Sequence, residues 1–264
     1  MTASVLAFLA GLLIGSFLNV CIYRMPRDLS IVRPRSFCPS CEHMISWYDN
    51  IPVLSYLVLR GRCRFCRYRI PTRYPVVELA TGLAFWFCVK MLGPTLPAVK
   101  WCLFSALLIA LTATDLDERI LPNELTLGGA ALGLILAFFV PVHAETISVF
   151  LAPSLASVIE ATFGAAAASG SIWFVGWAYK KVRHREGMGF GDVKMIAMIG
   201  AFLGAPNALL AVTAGSLFGA IAGIAYIVIA RKDASTYELP FGSFLGISAL
   251  AVMLFGEVLG QGVR

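Results

Sequence analysis

Long apolar runs separated by short polar segments make up most of the chain. A helix that crosses a bilayer needs about 20 predominantly apolar residues. Runs of this kind occupy residues 3–23, 75–92, 98–114, 125–142, 160–179, 193–203, 208–230 and a final stretch that ends near 259. The run at 193–203 is short and continues towards 207. The pattern predicts an all-α polytopic membrane protein with about eight transmembrane helices.

One polar segment of about 50 residues interrupts this pattern after the first run. Residues 24–75 contain ten Arg and several Pro, and their apolar stretch at 51–59 is too short to span a bilayer. We therefore divide the chain into a first transmembrane helix at 1–23, a cytoplasmic insert at 24–75 and a transmembrane domain at 76–264. The first run has no basic n-region and no small-residue cleavage site, so it is predicted to be a retained helix rather than a signal peptide.

Composition and charge agree with a membrane protein. The chain is 59% hydrophobic and 14% charged, whereas soluble domains are about 25% charged. If the insert is cytoplasmic, 18 of the 21 Lys and Arg residues lie on that side of the membrane. The net charge of +6 is then explained by membrane topology, and nucleic acid is not expected as a partner. This topology places both termini outside.

Four cysteines in the insert form two C-x-x-C pairs: Cys38, Cys41, Cys63 and Cys66. Two such pairs can supply the four thiolates of a tetrahedral zinc site. The alternatives are two reducible thiol pairs or a disulfide, which a cytoplasmic location disfavours. Cys21, Cys88 and Cys102 lie in apolar runs and are interpreted as packing residues.

The stretch 187–194, Gly-Met-Gly-Phe-Gly-Asp-Val-Lys, places Asp192 where a loop meets an apolar run. Asp115 lies at a second such boundary on the same predicted side of the membrane. Carboxylates at membrane boundaries are costly and often functional. If the two approach within a few Å they share a proton, so one can activate a water as a base while the other donates a proton. Gly189 and Gly191 would let a substrate backbone come close to Asp192.

Simpler interpretations remain for several acidic residues. Asp192 is also a favoured helix N-cap type, and Asp117 and Glu118 are interpreted as loop charges. Glu78 either forms an ion pair with Arg73 or has a functional role. The three histidines, His43, His143 and His184, have no evident nucleophile beside them, so a Ser/His or Cys/His mechanism is not favoured.

Several motifs match one family in order along the chain: Gly15–Val20 with Tyr23–Pro26, Asn50–Tyr56 between the cysteine pairs, Arg73–Ala80, Asp115 followed by Leu121-Pro122, Gly189–Asp192, and Pro240–Gly242. With these motifs the chain resembles the type IV prepilin peptidases, a G-x-G-D aspartyl protease family. The resemblance covers nearly the whole sequence.

The resemblance implies a bifunctional bacterial inner-membrane enzyme with Asp115 and Asp192 as its catalytic pair. Such an enzyme removes the leader of prepilins or type II secretion pseudopilins at the cytoplasmic face. It then methylates the new N-terminal residue with S-adenosylmethionine. Methyl transfer is tied to the zinc insert in the family, which implicates Gly61, Arg62 and Glu78 here. Arg62 stands where the family has Lys, and Asn123 where many relatives have Asp. Prepilins and membrane lipid are the expected partners.

Two other functions compete with this interpretation. Presenilin-like intramembrane proteases share the G-x-G-D motif, but they lack a zinc insert and carry Tyr before the first aspartate, where Thr114 stands here. A proton-coupled transporter could use Asp115 and Asp192 as proton carriers. Transporter sites usually lie near the bilayer midplane between repeats, and no repeat is visible in this sequence.

Overall fold

The computed structural model of the chain describes residues 1–141, 152–183, 189–230 and 240–258. Its helices are α1 (Thr2–Arg24), α2 (Leu54–Val58), α3 (Arg73–Leu92), α4 (Leu96–Glu118), α5 (Asn123–Phe139), α6 (Pro153–Arg183), α7 (Phe190–Ala230) and α8 (Phe241–Val252). Among the residues discussed above, Gly187, Met188, His143 and His184 fall outside the described residues, as do four of the Lys and Arg residues counted for the topology: Arg185, Arg231, Lys232 and Arg264.

Within the described residues, five helices are long and apolar enough to cross a membrane: α1, α3, α4, α6 and α7. Two shorter apolar helices, α5 and α8, accompany them. The insert has little regular structure. Besides the five-residue α2, it contains two short 3-10 helices, Met25–Arg27 and Trp47–Asn50. The prediction of an all-helical membrane protein is confirmed at this level.

The helices form a bundle with α4 at its centre. Helix α1 packs along α3, α6 packs along α7, and α8 contacts both α4 and α7. Phe104 of α4 is fully buried and stacks on Phe202 of α7, with ring centroids 4.4 Å apart. Small residues of α1 allow it to pack closely against α3. A Cβ at position 15 would lie only 2.7 Å from the Cα atom of Glu78.

Helix α7 contains a break that matches the boundary between the sixth and seventh predicted spans. Gly204 has φ 73° and ψ 172°, far from helical values, and Pro206 follows it. Proline cannot donate the helical hydrogen bond, and glycine readily takes a positive φ. The break therefore lies where the predicted run at 193–203 ends.

Several predicted boundaries are wrong. The third span was expected to end at residue 114, but α4 continues through Asp115 to Glu118 and ends at Arg119, which takes the left-handed conformation. Asp117 and Glu118 are tolerated in this last turn because both form ion pairs. Helix α6 begins at Pro153, earlier than the predicted run at 160–179.

Candidate functional site

The last turn of α4 presents Asp115 to the start of α8. Asp115 is 5% exposed, and its Oδ2 atom accepts two hydrogen bonds from Ser243. The backbone N–H donates over 2.6 Å and the hydroxyl over 2.7 Å. A buried carboxylate needs such donors, because without them it would lose the hydrogen bonds that water provides.

Asp192 lies in the first turn of α7 and interacts electrostatically with Asp115. Leu121 lies against both the start of α7, which carries Asp192, and the start of α8, which contacts Asp115. A Cβ at position 191 would lie 3.2 Å from Leu121 Cβ, and a Cβ at position 242 would lie 3.1 Å from both Leu121 Cδ1 and Asp115 Cγ. The structure thus brings together the start of α7, the start of α8 and the end of α4.

Polar contacts tie further helix ends to the same region. Lys194 Nζ donates to Asn123 Oδ1 over 2.7 Å, which links the start of α7 to the start of α5. Arg27, just after α1, pairs with Glu118 at 2.5 Å. Arg73 at the start of α3 pairs with Asp117. The interpretation of Asp117 and Glu118 as loop charges is therefore wrong, and so is the proposed pairing of Arg73 with Glu78.

This arrangement can perform general acid–base chemistry on a peptide bond. Two neighbouring carboxylates can hold one proton between them, so one accepts a proton from water and the other supplies one. Gly191 is packed against Leu121, and Gly189 lies at the exposed start of α7 next to the Asp192 carboxylate. A Cβ at position 189 would lie 3.5 Å from Asp192 Oδ2.

The four insert cysteines also come together. The Sγ atoms of Cys38, Cys41, Cys63 and Cys66 all lie within 4.8 Å of one another. The two cysteine turns share one backbone pattern. The N–H of Cys38 donates to His43 O, and the N–H of Cys63 donates to Tyr68 O, each residue bonding five positions ahead. Such a cluster of four thiols can bind a metal ion.

Hydrogen bonds and burial perturb the thiols of this cluster. A backbone hydrogen bond from Tyr68 lowers the pKa of Cys66 to about 7, which favours the metal-binding thiolate. For Cys41, a backbone hydrogen bond from His43 acts to lower the pKa, but burial and the neighbouring thiols outweigh it and raise the pKa to about 11.

A bidentate ion pair supports the second cysteine turn from outside. Arg64 Nε and a second guanidinium nitrogen donate to the two carboxylate oxygens of Asp49, over 2.7 Å and 2.6 Å. The hydrogen bonds from Arg64 hold the pKa of Asp49 below its usual value. Asp49 lies in the 3-10 turn Trp47–Asn50, so this pair joins the two halves of the insert.

A cavity of about 180 Å³ lies between the insert and the ends of α1 and α3. Glu78 projects into it from α3 and is 7% exposed. Glu78 Oε2 accepts a hydrogen bond over 2.7 Å from the N–H of Val53, which has a positive φ of 62°, unusual for a β-branched residue. Cys63 and Tyr56 also line the cavity, so the cavity borders the cysteine cluster.

Gly61 and Arg62 occupy a different position from Glu78. Neither lines the cavity. Gly61 is buried beside the ring of Tyr56 with φ 65°, and Arg62 is exposed and forms a backbone bridge with Arg69. The sequence grouped these residues with Glu78, but of the three only Glu78 lines the cavity.

Comparison with known proteins identifies the family. Residues 9–92 match the Bacterial Peptidase A24 N-terminal domain, and residues 102–224 match the Type IV leader peptidase family. A protein of Aeromonas hydrophila named prepilin leader peptidase/N-methyltransferase is 36% identical over 96% of this chain and 90% of its own length. The chain belongs to the type IV leader peptidase family.

Other relatives carry the same name. One from Pseudomonas aeruginosa is 36% identical over 94% of this chain and 89% of its own length. One from Myxococcus xanthus is 43% identical over 84% of this chain, and the match spans 62% of that protein. No solved structure matches the chain. The two family models divide the chain between α3 and α4, so the cysteine cluster falls in one and both aspartates in the other.

Sequence reasoning missed one residue of this leader peptidase family site. Ser243 was not singled out, although it directly follows the Pro240–Gly242 motif. Its contact with Asp115 joins residues 128 positions apart, so only the folded chain reveals it. The buried Asn19 of α1 donates to the backbone oxygen of Tyr74 over 3.0 Å.

Proposed function

We propose that this protein is a prepilin-processing enzyme, which cleaves the leader from type IV prepilins or pseudopilins and then N-methylates the new terminus. The single observation that carries the proteolytic half is that the end of α4, with Asp115, and the start of α7, with Asp192, converge around Leu121. The relatives' shared name supports the same two reactions. No relative named above supports the transporter alternative.

In the cleavage reaction, one carboxylate of the pair removes a proton from a water molecule as its oxygen attacks the scissile carbonyl carbon. The other carboxyl group donates its proton to the leaving amine nitrogen as the C–N bond breaks. Gly189 would leave room for the substrate backbone beside Asp192, whereas Gly191 lets Leu121 pack against the start of α7. The products are the free leader and a pilin with a new N-terminal amine.

We assign methyl transfer to the insert at 24–75 together with the cavity around Glu78. S-adenosylmethionine, when bound, supplies an electrophilic methyl group. The buried Glu78 carboxylate is suited to orient the pilin amine and accept the proton it loses. Gly61 and Arg62 would act from outside the cavity, by shaping the turn before Cys63.

Zinc is the metal best suited to the four thiolates Cys38, Cys41, Cys63 and Cys66, and it would hold the insert folded.

We further propose eight spans in the transmembrane domain at 76–264 and the first helix, with the site facing the cytoplasm of a bacterial inner membrane. A straight helix of 41 residues would be roughly 60 Å long, twice the thickness of a bilayer core. The break at Gly204 would divide α7 into two spans. The ion pairs of Arg27 and Arg73 lie at the same end of the bundle as Asp115, in agreement with the positive-inside rule.

The test is incubation of the purified protein in detergent with a prepilin, followed by mass spectrometry of the pilin N-terminus. Leader removal is expected with the unchanged protein and is expected to be lost in Asp115→Asn and in Asp192→Asn. Asp117→Asn is the matched control, since it makes the same chemical change two residues away and costs an ion pair worth about 1 kcal/mol or less. An inactive Asp117→Asn with an active Asp115→Asn would overturn the assignment. Absence of cleavage by the unchanged protein would overturn the proposed function.

A further inference from the structure

Ser243 forms the closest polar contacts to the Asp115 carboxylate among the described residues. It is 1% exposed and lies in the first turn of α8. Both of its donors, the backbone N–H and the hydroxyl, point to the same atom, Asp115 Oδ2, over 2.6 Å and 2.7 Å. The other carboxylate oxygen, Oδ1, receives neither bond.

The backbone donor suits a charged partner. The first N–H groups of a helix have no acceptor one turn back, and the start of a helix carries partial positive charge. The Ser243 N–H lies in the first turn of α8 and is 3.2 Å from Pro240 O, but its bond to Asp115 Oδ2 is much shorter, at 2.6 Å. Because Asp115 Oδ2 accepts from both Ser243 donors, a proton on this carboxyl group is better placed on Oδ1.

The Ser243 hydroxyl has one proton to donate and two acceptors within hydrogen-bond distance. Ser243 Oγ lies 2.7 Å from Asp115 Oδ2 and 3.2 Å from the backbone oxygen of Thr112, which is one turn earlier on α4. Hydrogen bonds to an ionised acceptor are shorter and stronger than bonds to a neutral one. The hydroxyl proton therefore favours the carboxylate when Asp115 is ionised and has the Thr112 oxygen available when it is not.

The approach of α8 to α4 fixes these contacts. A Cβ at position 242 would lie 3.1 Å from Asp115 Cγ, so only glycine lets the start of α8 come this close without displacing the carboxylate. A Cβ at position 246, one turn later, would clash with the Thr112 side chain. Ser243 is thus held against Asp115 by the packing of the two helices.

We infer that Ser243 is a positioning residue for leader cleavage, one that fixes Asp115 Oδ2 and assigns the two aspartates different roles. Asp115 is the ionised member, and its Oδ1 takes the proton from the attacking water. Asp192 holds the proton that passes to the leaving amine. This inference rests on the proposed cleavage reaction and adds to it which carboxyl group acts as base.

The test compares Ser243→Ala, Ser243→Thr and the control Ser248→Ala in steady-state cleavage of a prepilin, with equal amounts of folded protein. Ser248 is buried on the same helix, 4% exposed, five residues after Ser243. We expect Ser243→Ala to lower kcat by about tenfold with KM changed less than twofold, because one charge-assisted hydrogen bond to the base is lost. Ser243→Thr keeps the hydroxyl and should restore kcat to within about threefold of the unchanged protein. Ser248→Ala should leave both constants unchanged.

Three outcomes would overturn the inference while leaving the proposed function intact. The first is full cleavage by Ser243→Ala. The second is a raised KM with an unchanged kcat, which would indicate substrate binding instead. The third is equal impairment of Ser243→Ala and Ser243→Thr, which would indicate helix packing. In all three the unchanged protein still cleaves, whereas failure of the proposed function would appear as no cleavage by that protein.

Discussion

Asp115 and Asp117 show how much the surroundings of one residue type can differ within a single helical turn. Asp115 faces the start of α8 and is buried, whereas Asp117 is exposed and pairs with Arg73. Two residues apart on a helix, side chains point in directions about 200° different. The sequence favoured Asp115 through its motif, and the structure supplies a physical reason, because only Asp115 points at the bundle interior.

Asp49 provides a pH-dependent prediction outside the membrane. Arg64 lowers the pKa of Asp49 in the folded protein relative to the unfolded chain. The pair therefore stabilises the insert fully above the ordinary pKa of Asp, about 4. This stabilisation is lost as the pH falls through the lower folded pKa. We expect the insert to become more susceptible to a protease active in acid as the pH falls below about 4, and Asp49→Asn to show much less of this change.

The zinc ligands must be separated from that effect, because thiolates are also protonated in acid. Asp49→Asn is the control for this effect, because it keeps all four thiols and loses metal in acid as the unchanged protein does. If Asp49→Asn and the unchanged protein lose resistance in parallel, the Asp49–Arg64 pair does not contribute.

At the scale of elements, the crossing of α6 and α7 depends on two glycines. A Cβ at position 164 would lie 2.6 Å from the backbone oxygen of Gly200 and 2.8 Å from the backbone nitrogen of Ala205. Backbone atoms cannot move aside as a flexible side chain can. We expect Gly164→Ala to lower the free energy of unfolding by about 1–3 kcal/mol, measured as a lower Tm in detergent. Gly170→Ala on the same helix meets nothing within 4 Å and should leave Tm unchanged or slightly higher.

The insert gives a second prediction at this scale, which concerns metal. Its short helix α2 and its 3-10 turns provide little hydrophobic core, so a metal ion would supply much of its folding energy. We expect about one zinc per chain in the reduced purified protein by metal analysis. Cys63→Ser should reduce the zinc content strongly, and Cys21→Ala, in the membrane helix α1, should retain it. A metal-free protein, or a disulfide between the two cysteine pairs, would contradict the prediction.

The helices could largely be predicted from sequence because burial in a bilayer requires long apolar runs. Their ends could not be predicted as well. Helix α4 runs past Asp115 because Arg27 and Arg73, far away in sequence, neutralise Glu118 and Asp117. The aspartate pair and the cysteine cluster followed from local motifs. The Ser243 contact and the cavity around Glu78 depend on how distant helices pack, which local spacing does not encode.

At the scale of the whole molecule, the two proposed sites lie at the same end of the bundle but are formed by different helices. The cavity is enclosed by the insert, α1 and α3, and the aspartate pair by α4, α7 and α8. The two ion pairs of Arg27 and Arg73 connect these halves. Helix α4 also packs against α1 and α3, so only damage confined to the insert should leave the aspartate pair largely intact.

The last prediction is that the two reactions can be separated. Glu78→Gln keeps an oxygen that can accept the Val53 N–H but removes the negative charge from the cavity. We expect it to reduce methylation at least tenfold while leader cleavage falls less than threefold.

Cys63→Ser should also lower methylation more than cleavage, because it loosens the insert locally. Conversely, Asp192→Asn should block cleavage yet still methylate a pilin supplied already processed. Both reactions are measured by mass spectrometry of the pilin N-terminus at matched membrane levels. If every variant lost both activities in parallel, the two reactions would share one site, and the separate assignment of the insert and the aspartate pair would be wrong.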